Sequence, residues 1–400
     1  MSTRAAAVRS PGTSRPATRS SSLVRDFMRD VFRKSRDQWD WPLVGSLAAL
    51  IVFGLIMLSS AGAAVGWQKF GDSYWHVKHQ LLFGVLPGLL LFGIMSRVDY
   101  YRLRQLAAPL LFVSIGLLTL VFIPGIGAQW GTSHSWINFF GFSLQPSEVV
   151  KLTFLLYLAA WLASREDRHL KDLQGGFLPF LFVLGIIAVL MILQPDTGTM
   201  MIIVAMSLMV FFVAGGSIRH LLLLSGVGAV ALWGLIKISP YRAARLTTFL
   251  HPELDPHGIG YHINQALLAV GSGGWFGRGY GHSRQKFAYL PEVTGDSIFA
   301  IIGEELGFIF SALVIVLFMY FVWRALKIAE KCRDPFGRLV VVGIISWFSI
   351  QAFFNIGAII GVLPLTGVPL PFISYGGTSM MICLAAAGIL ANISRQVKLD

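Results

Sequence analysis

Asp296 carries the most direct chemical implication in the sequence, because it stands where a basic stretch meets a long apolar run. An aspartate at such a junction can cap the first turn of a helix, or it can act as a base at the membrane surface. Arg284, Lys286 and Glu292 lie within 12 residues of it. A carboxylate in this setting could take a proton from a sugar hydroxyl while cations stabilise a phosphate leaving group. The residues alone leave both roles open.

The stretch 239–296 concentrates cations between two apolar runs. Beside a membrane, guanidinium and ammonium groups suit a phosphate or an anionic lipid headgroup. A solvated loop surface is the alternative interpretation. The predicted substrate-binding residues of this stretch are Arg242, Arg245, Arg278, Arg284, Lys286 and Glu292.

Other charged residues lie inside or beside apolar runs, where an unpaired charge is costly. Asp196 stands in a short break between two runs and is predicted to cap a helix or form a turn. Glu148 and Lys151 are three residues apart at a helix start, a spacing that favours an ion pair. Glu304 and Glu305 are neighbours on a helix and point about 100° apart, so at least one needs a polar partner inside the bundle.

Composition defines the fold class that must position these residues. Of the 400 residues, 55% are hydrophobic and 13% are charged, whereas a soluble domain carries about 25% charged residues. Ten apolar runs, each long enough to cross a bilayer as a helix, predict an all-α integral membrane protein with a ten-transmembrane-helix bundle. The predicted spans are 42–64, 77–95, 106–123, 147–163, 177–193, 198–214, 221–238, 297–323, 339–360 and 378–393.

The distribution of Lys and Arg predicts the orientation of the chain. Apart from 239–296, alternate loops are basic or nearly free of cations, which predicts that both termini lie in the cytoplasm; a long loop such as 239–296 can translocate regardless of its charge. The predicted organisation is a mostly disordered basic tail over 1–40, a membrane domain over 41–395 with a large extracytoplasmic loop (239–296) between helices 7 and 8, and a cytoplasmic tail over 396–400. The net charge of +12 is concentrated at loop ends and the tail, a pattern typical of membrane topology rather than of nucleic-acid binding.

The segment 363–377 is apolar, yet it holds three prolines and three glycines and cannot form a continuous helix. Non-helical backbone near a membrane must be buried in protein or line a watery cavity. We therefore expect this segment to lie against the site, with Ser374, Gly376 and Gly377 as further substrate-binding candidates.

Five motifs in this order resemble those of the SEDS family (shape, elongation, division and sporulation), at 145–148, 194–198, 271–279, 289–307 and 369–377. The resemblance implies a peptidoglycan glycosyltransferase with ten spans and Asp296 as its essential base. Such an enzyme polymerises lipid II into β-1,4 glycan strands, with inversion, on the outer face of the bacterial plasma membrane. Ser135 stands where the family usually has Arg, and the family's His ahead of the aspartate is missing.

The resemblance also bears on partners and cofactors. It favours the FtsW-like cell-division branch over the RodA-like elongation branch. It implies a class B penicillin-binding transpeptidase and other division proteins as partners, at the division septum. It allows a divalent cation, Mg or Mn, but the sequence shows no oxygen-ligand cage for one. A lipid II flippase and a noncatalytic scaffold are the competing hypotheses, since broken helices and polar residues inside spans also suit a transporter.

Overall fold

The computed structural model describes residues 39–124, 127–130, 133–139, 142–165, 170–255 and 258–397. Both predicted tails lie almost wholly outside these residues, so the predicted division into tails and membrane domain stays a prediction. The helices are α1 (Trp41–Ala61), α2 (Ala63–Phe70), α3 (Trp75–Met95), α4 (Tyr100–Gln105), α5 (Ala107–Leu120), α6 (Pro146–Ala163), α7 (Leu173–Leu193), α8 (Thr197–Val213), α9 (Ile218–Ile238), α10 (Pro240–Leu250), α11 (Ile259–Ser272), α12 (Ile298–Lys331), α13 (Pro335–Ile359) and α14 (Gly377–Ser394).

The helical membrane fold class is confirmed. Eight helices of the described residues are long and apolar enough to cross a membrane, and α5 and α8 are shorter apolar helices. Each of the ten predicted spans overlaps one of these ten helices. The number of actual crossings and the cytoplasmic location of the termini stay predictions.

The central helix of the bundle is α14, in which nearly every residue is buried. Small side chains allow this burial, because helices in membranes approach closely where residues lack bulk. A Cβ added to Gly388 of α14 would lie 2.7 Å from the Phe92 carbonyl oxygen of α3, and one added to Gly88 would lie 2.5 Å from Leu384. These glycines therefore set the distance between α3 and α14.

A small sheet adds to the predicted all-helical architecture. Strands β1 (Gly127–Trp130), β2 (Ser133–Phe139) and β3 (Phe142–Leu144) form an antiparallel sheet in the order β1-β2-β3. On β2, Ser135 and Ile137 are buried while Asn138 is exposed, as the alternation of side chains along a strand requires. No strand was predicted for this connection.

The predicted large loop 239–296 is not a single irregular loop. It contains two helices, α10 and α11, followed by an irregular loop over 273–297. Because Arg242 and Arg245 are three residues apart on α10, they lie on one face of that helix. The cations of this stretch therefore belong to different elements, and the structure separates them.

Helix α12 is kinked at Gly307, where φ is 75° and ψ is −173°. The irregular loop packs into the kink. The backbone nitrogen of Arg278 donates to the Glu304 carbonyl at 3.0 Å, and the backbone nitrogen of Phe308 donates to the Gly274 carbonyl at 2.9 Å. Those loop hydrogen bonds pair backbone groups that the interrupted helix leaves free. The kink thus fixes the loop that leads to Asp296.

Candidate active site

Asp296 lies two residues before α12 and is held through its backbone. Its carbonyl oxygen accepts a 2.7 Å hydrogen bond from the side-chain nitrogen of Asn355 on α13, and the same nitrogen donates to the Val368 carbonyl at 2.8 Å. Only the amide nitrogen can donate, so these two bonds fix the orientation of the Asn355 side chain. Asn355 therefore joins the Asp296 loop to the segment 363–377.

Asp296 and Asn355 line a narrow crevice with residues of that segment. The other lining residues are Ala358, Ile359, Leu365, Thr366, Gly367 and Val368. The N-cap position of α12 belongs to Ser297, and no side chain caps this helix. The capping interpretation of Asp296 is therefore wrong, and its carboxylate faces the crevice region instead.

The environment of Asp296 favours its protonated form. Burial and the nearby Glu292 carboxylate raise the pKa of Asp296 to about 7, against opposing effects of Arg245 and of a hydrogen bond with Ser297. Oδ1 of Asp296 is buried without a hydrogen-bond partner among the described residues. A carboxyl group with a pKa near neutrality is suited to accept a proton from a substrate and release it again.

His262, on α11, joins the site without having been predicted. Its Nε2 lies 2.6 Å from the Ser297 hydroxyl oxygen, although the two residues are 35 positions apart. Burial and the charge of Arg245 lower the pKa of His262 to about 4, so the imidazole is neutral at physiological pH. No local pattern marks His262, because its partner comes from a distant part of the chain.

The predicted cations lie in different environments. Arg245 acts electrostatically on both Asp296 and His262. Arg242, on the same helix, donates to the Ile192 carbonyl at 3.4 Å. Arg284 is exposed on the irregular loop. Arg245 and Glu292 are thus the predicted substrate-binding residues that the structure brings to Asp296.

Lys286 and Glu305 form a buried ion pair, with Nζ 3.0 Å from Oε1 and side chains 5% and 0% exposed. Lys286 also donates to the Ser60 hydroxyl at 3.0 Å and to the Gly281 carbonyl at 2.7 Å. All three hydrogens of its ammonium group therefore have partners. Lys286 therefore supports the loop, and its predicted contact with the substrate stays a prediction.

Glu304 anchors the same loop from the neighbouring position. Its carboxylate accepts hydrogen bonds from the backbone nitrogens of Arg284 at 3.0 Å and Gln285 at 3.3 Å, and from the Ser283 hydroxyl. Arg278 lies 3.7 Å away with its side chain 35% exposed. The prediction that this acidic pair needs polar partners inside the bundle is confirmed.

The predicted pair of Glu148 and Lys151 is also confirmed, with 2.7 Å between Oε1 and Nζ and both side chains buried. Lys151 further donates to the side-chain oxygen of Gln351 at 2.8 Å, and the side-chain nitrogen of Gln351 donates to the Pro369 carbonyl at 2.7 Å. This network therefore connects α6, α13 and the segment 363–377.

Asp196 caps α8, as predicted: its Oδ1 accepts a 3.1 Å hydrogen bond from the Thr199 nitrogen. Its Oδ2 accepts one of 3.0 Å from the Ser147 hydroxyl on α6. Asp196 thus links two of the motifs that the resemblance rests on. Its role here is structural support.

The three candidates at the end of the segment 363–377 are held by α3 and by the segment itself. The Ser374 hydroxyl accepts from the Leu370 nitrogen at 2.8 Å, and the Gly376 nitrogen donates to the Gln80 oxygen at 3.0 Å. A Cβ on Gly377 would lie 3.2 Å from the Phe83 carbonyl oxygen. These contacts hold the non-helical backbone inside the bundle, as predicted for the segment.

In this helical bundle, a loop anchored to membrane-spanning helices carries a carboxylate with a raised pKa, and the charge of a guanidinium group acts on it. These features define a multi-pass membrane protein with a polar site suited to acid–base chemistry. A family model described as Cell cycle protein, FtsW/RodA/SpoVE, matches residues 41–399. The chain belongs to this family, and the resemblance found in its motifs is confirmed.

Individual relatives are similar over nearly the whole chain. Stage V sporulation protein E of Bacillus subtilis is 44% identical over 346 residues, which cover 86% of this chain and 94% of that protein. A probable peptidoglycan glycosyltransferase FtsW of Trichlorobacter lovleyi is 41% identical over 377 residues, which cover 94% and 97%.

Solved structures share the fold. A chain from a study of the structural coordination of polymerization and crosslinking by a peptidoglycan synthase complex matches with a TM-score of 0.74 and 27% identity, over 90% of this chain and 98% of that chain. The rod shape determining protein RodA of Thermus thermophilus matches with a TM-score of 0.66 and 26% identity, over 91% and 99%.

Proposed function

We propose that this chain is a peptidoglycan glycosyltransferase that polymerises lipid II into β-1,4 glycan strands on the outer face of the plasma membrane. The observation that carries the proposal is the Asp296 carboxyl group, whose pKa of about 7 suits a base at physiological pH. The names of the FtsW relatives support the activity.

The reaction requires one base and a charged environment for the leaving group. Asp296 takes the proton of the acceptor hydroxyl as its oxygen attacks the donor's anomeric carbon. The bond from that carbon to the pyrophosphate oxygen breaks with inversion, and undecaprenyl pyrophosphate leaves with the electron pair. Arg245, whose charge acts on Asp296, is the first candidate for the pyrophosphate, and Arg242 and Arg284 are further candidates.

A metal cage would need several ligating side chains in the part of the chain that the structure describes. Among the described residues, no three His, Cys, Asp or Glu side chains are grouped so that they could hold an ion. We therefore derive no step through a metal. Dependence on Mg or Mn stays a prediction, and it is tested by measuring the polymerisation rate with each ion and with a chelator.

The cellular role follows from the names of the relatives. We propose the FtsW-like division branch and a location at the septum of a bacterial plasma membrane, because several relatives carry the name FtsW. We also propose a class B penicillin-binding transpeptidase as the partner, with other division proteins. The structural similarity to a chain of a peptidoglycan synthase complex supports this partner.

The decisive experiment replaces Asp296 with Asn and measures glycan chain formation from lipid II in detergent. We expect a loss of about 10²-fold or more, as for removal of a general base. Asp72→Asn, an aspartate that forms an ion pair with Lys78, is the matched control and should remain active. Unchanged polymerisation by Asp296→Asn would end the assignment. A headgroup translocation without polymer, seen in vesicles, would favour the flippase instead.

A further inference from the structure

The residues that line the Asp296 crevice carry three buried oxygen atoms without hydrogen-bond partners. They are Oδ1 of Asp296, Oδ1 of Asn355 and Oγ1 of Thr366, and none of them has a partner among the described residues. Buried polar atoms in folded proteins are nearly always hydrogen-bonded, because an unpaired one has lost its contacts with water. Three such atoms in one crevice indicate a place for a polar ligand or for ordered water.

The side chain of Asn355 defines what such a ligand must supply. Both hydrogens of its side-chain nitrogen are already used, on the carbonyl oxygens of Asp296 at 2.7 Å and Val368 at 2.8 Å. Asn355 is 2% exposed, and its Oδ1 can only accept a hydrogen bond. The ligand must therefore present a hydroxyl or N–H donor inside the crevice.

Gly367 brings the Asp296 carboxylate close to Thr366. A Cβ added to Gly367, where φ is 69°, would lie 3.8 Å from Oδ2 of Asp296, so the carboxylate faces this part of the segment 363–377. Thr366 is the preceding residue, and its carbonyl oxygen would lie 2.7 Å from a Cβ added to Gly198 of α8. Gly367 is exposed, while Asp296 and Thr366 are half-buried. The crevice is therefore open at this rim, where one edge of a sugar can reach the three atoms.

We propose that Asn355 and Thr366 bind the hydroxyl on carbon 3 of the acceptor sugar, next to the attacking hydroxyl on carbon 4. This inference rests on the proposed function, since a β-1,4 bond is formed by the carbon-4 hydroxyl. The carbon-4 hydroxyl donates to Oδ1 of Asp296. The carbon-3 hydroxyl donates to Oδ1 of Asn355 and accepts from the Thr366 hydroxyl. All three oxygen atoms then have partners, with every donor matched to an acceptor.

A pair of neighbouring ring hydroxyls fits these groups better than the carbon-6 hydroxyl does. The oxygens on carbons 3 and 4 are attached to adjacent ring atoms and keep a nearly constant separation, whereas the carbon-6 hydroxyl rotates about an extra bond. Asn355 is fixed by two hydrogen bonds, and rigid groups on both sides reduce the entropy lost on binding. None of the arginines proposed for the pyrophosphate lines this crevice in the part of the chain that the structure describes. The hydroxyl contacts should therefore act mainly on the orientation of the acceptor, and so on kcat.

The test combines Thr366→Val, which keeps the shape of the side chain but removes its hydroxyl, with lipid II analogues that lack the acceptor hydroxyl on carbon 3 or carbon 6. With lipid II itself, we expect Thr366→Val to lower kcat about three- to tenfold, the range of one hydrogen bond, with KM nearly unchanged. In the unchanged protein, the 3-deoxy analogue should lower kcat about tenfold or more, because Asn355 and Thr366 both lose a partner. In Thr366→Val this second loss should be about threefold smaller, since one of the two contacts is already gone.

Matched controls separate this contact from a general loss of structure. Thr366→Ser keeps the hydroxyl and should retain the full effect of the 3-deoxy analogue. Thr119→Val, at an exposed position of α5, should behave like the unchanged protein with every substrate. Melting temperatures in detergent show which variants are folded, and Thr366→Ala replaces Thr366→Val if the latter is not.

The outcomes distinguish this inference from the proposed function. If the 3-deoxy analogue slows Thr366→Val by the same factor as the unchanged protein, as for a crevice filled by water alone, the contact is overturned. It is also overturned if the effect of the 6-deoxy analogue, and not that of the 3-deoxy analogue, depends on Thr366. Either result leaves the proposed function standing as long as Asp296→Asn is inactive. An active Asp296→Asn would instead overturn the proposed function.

Discussion

The pH dependence of polymerisation is the most direct consequence of the raised pKa of Asp296. A carboxyl group acts as a base only when ionised, and its pKa is raised from 3.8 to about 7. Activity is therefore present above the pKa of Asp296 in the folded protein and is lost as the pH falls through about 7. At pH 6 only about one tenth of the molecules hold the carboxylate, whereas an unperturbed aspartate would be almost fully ionised. We therefore expect a rate about tenfold below the plateau at pH 6.

Two substitutions should move this acidic limb in opposite directions. Glu292→Gln removes a charge that raises the pKa of Asp296, so the limb should shift to lower pH. Arg245→Gln removes a charge that lowers this pKa, so the limb should shift to higher pH. Initial rates from lipid II between pH 5 and 9, at constant ionic strength and normalised to each plateau, measure both shifts. A flat profile from pH 5 to 8, or shifts in the same direction, would refute the reasoning.

Three further predictions concern the supports of the site. Lys286→Met should lower the free energy of unfolding by about 3–5 kcal/mol, because Glu305 stays buried without its ion-pair partner. The double variant with Glu305→Leu should recover part of this loss. A Lys286→Met variant that is inactive but as stable as the unchanged protein would show a substrate contact instead. Asn355→Leu should lower the free energy of unfolding by about 1–3 kcal/mol, because it removes the donor to two carbonyl groups. The same change should lower kcat more than it changes KM. An unaltered kcat in a folded variant would contradict the positioning role of Asn355. Gly307→Ala places a Cβ 2.2 Å from the Gly277 backbone nitrogen at a φ of 75°, so this variant should fail to fold or should melt at a much lower temperature. Gly116→Ala, with open space around the added methyl group, should keep the melting temperature of the unchanged protein. Equal melting temperatures of the two variants would argue against the kink.

Local sequence signals were enough to locate most helices. The predicted span 147–163 corresponds to Pro146–Ala163, and 378–393 corresponds to Gly377–Ser394. Apolar length and flanking proline or glycine are properties of the segment itself, so they can be recognised without tertiary contacts. The end of α12 was predicted at 323 because hydropathy falls there, yet the helix continues to Lys331. Loss of apolar character marks the end of a lipid-facing stretch and does not end a helix.

The roles of individual charges were less accessible from the sequence. Lys286 and Arg245 are both cations of the stretch 239–296, but one is buried against Glu305 and the other acts on Asp296. This difference depends on the kink at Gly307, which brings the loop onto α12. His262 was missed for the same reason, since its bond to Ser297 exists only after α11 has packed beside the loop.

The separation of these charges explains how the proposed base, Asp296, can be held on irregular backbone. Glu304 and Glu305 neutralise or bond the loop that precedes Asp296, while Asn355 fixes the Asp296 carbonyl from α13. The loop is thus held by protein groups before and after Asp296, an arrangement that would preorganise the proposed base. Changes at Asn355 should then lower kcat while leaving KM nearly unchanged, because they displace the Asp296 carboxylate without touching the proposed pyrophosphate-binding arginines.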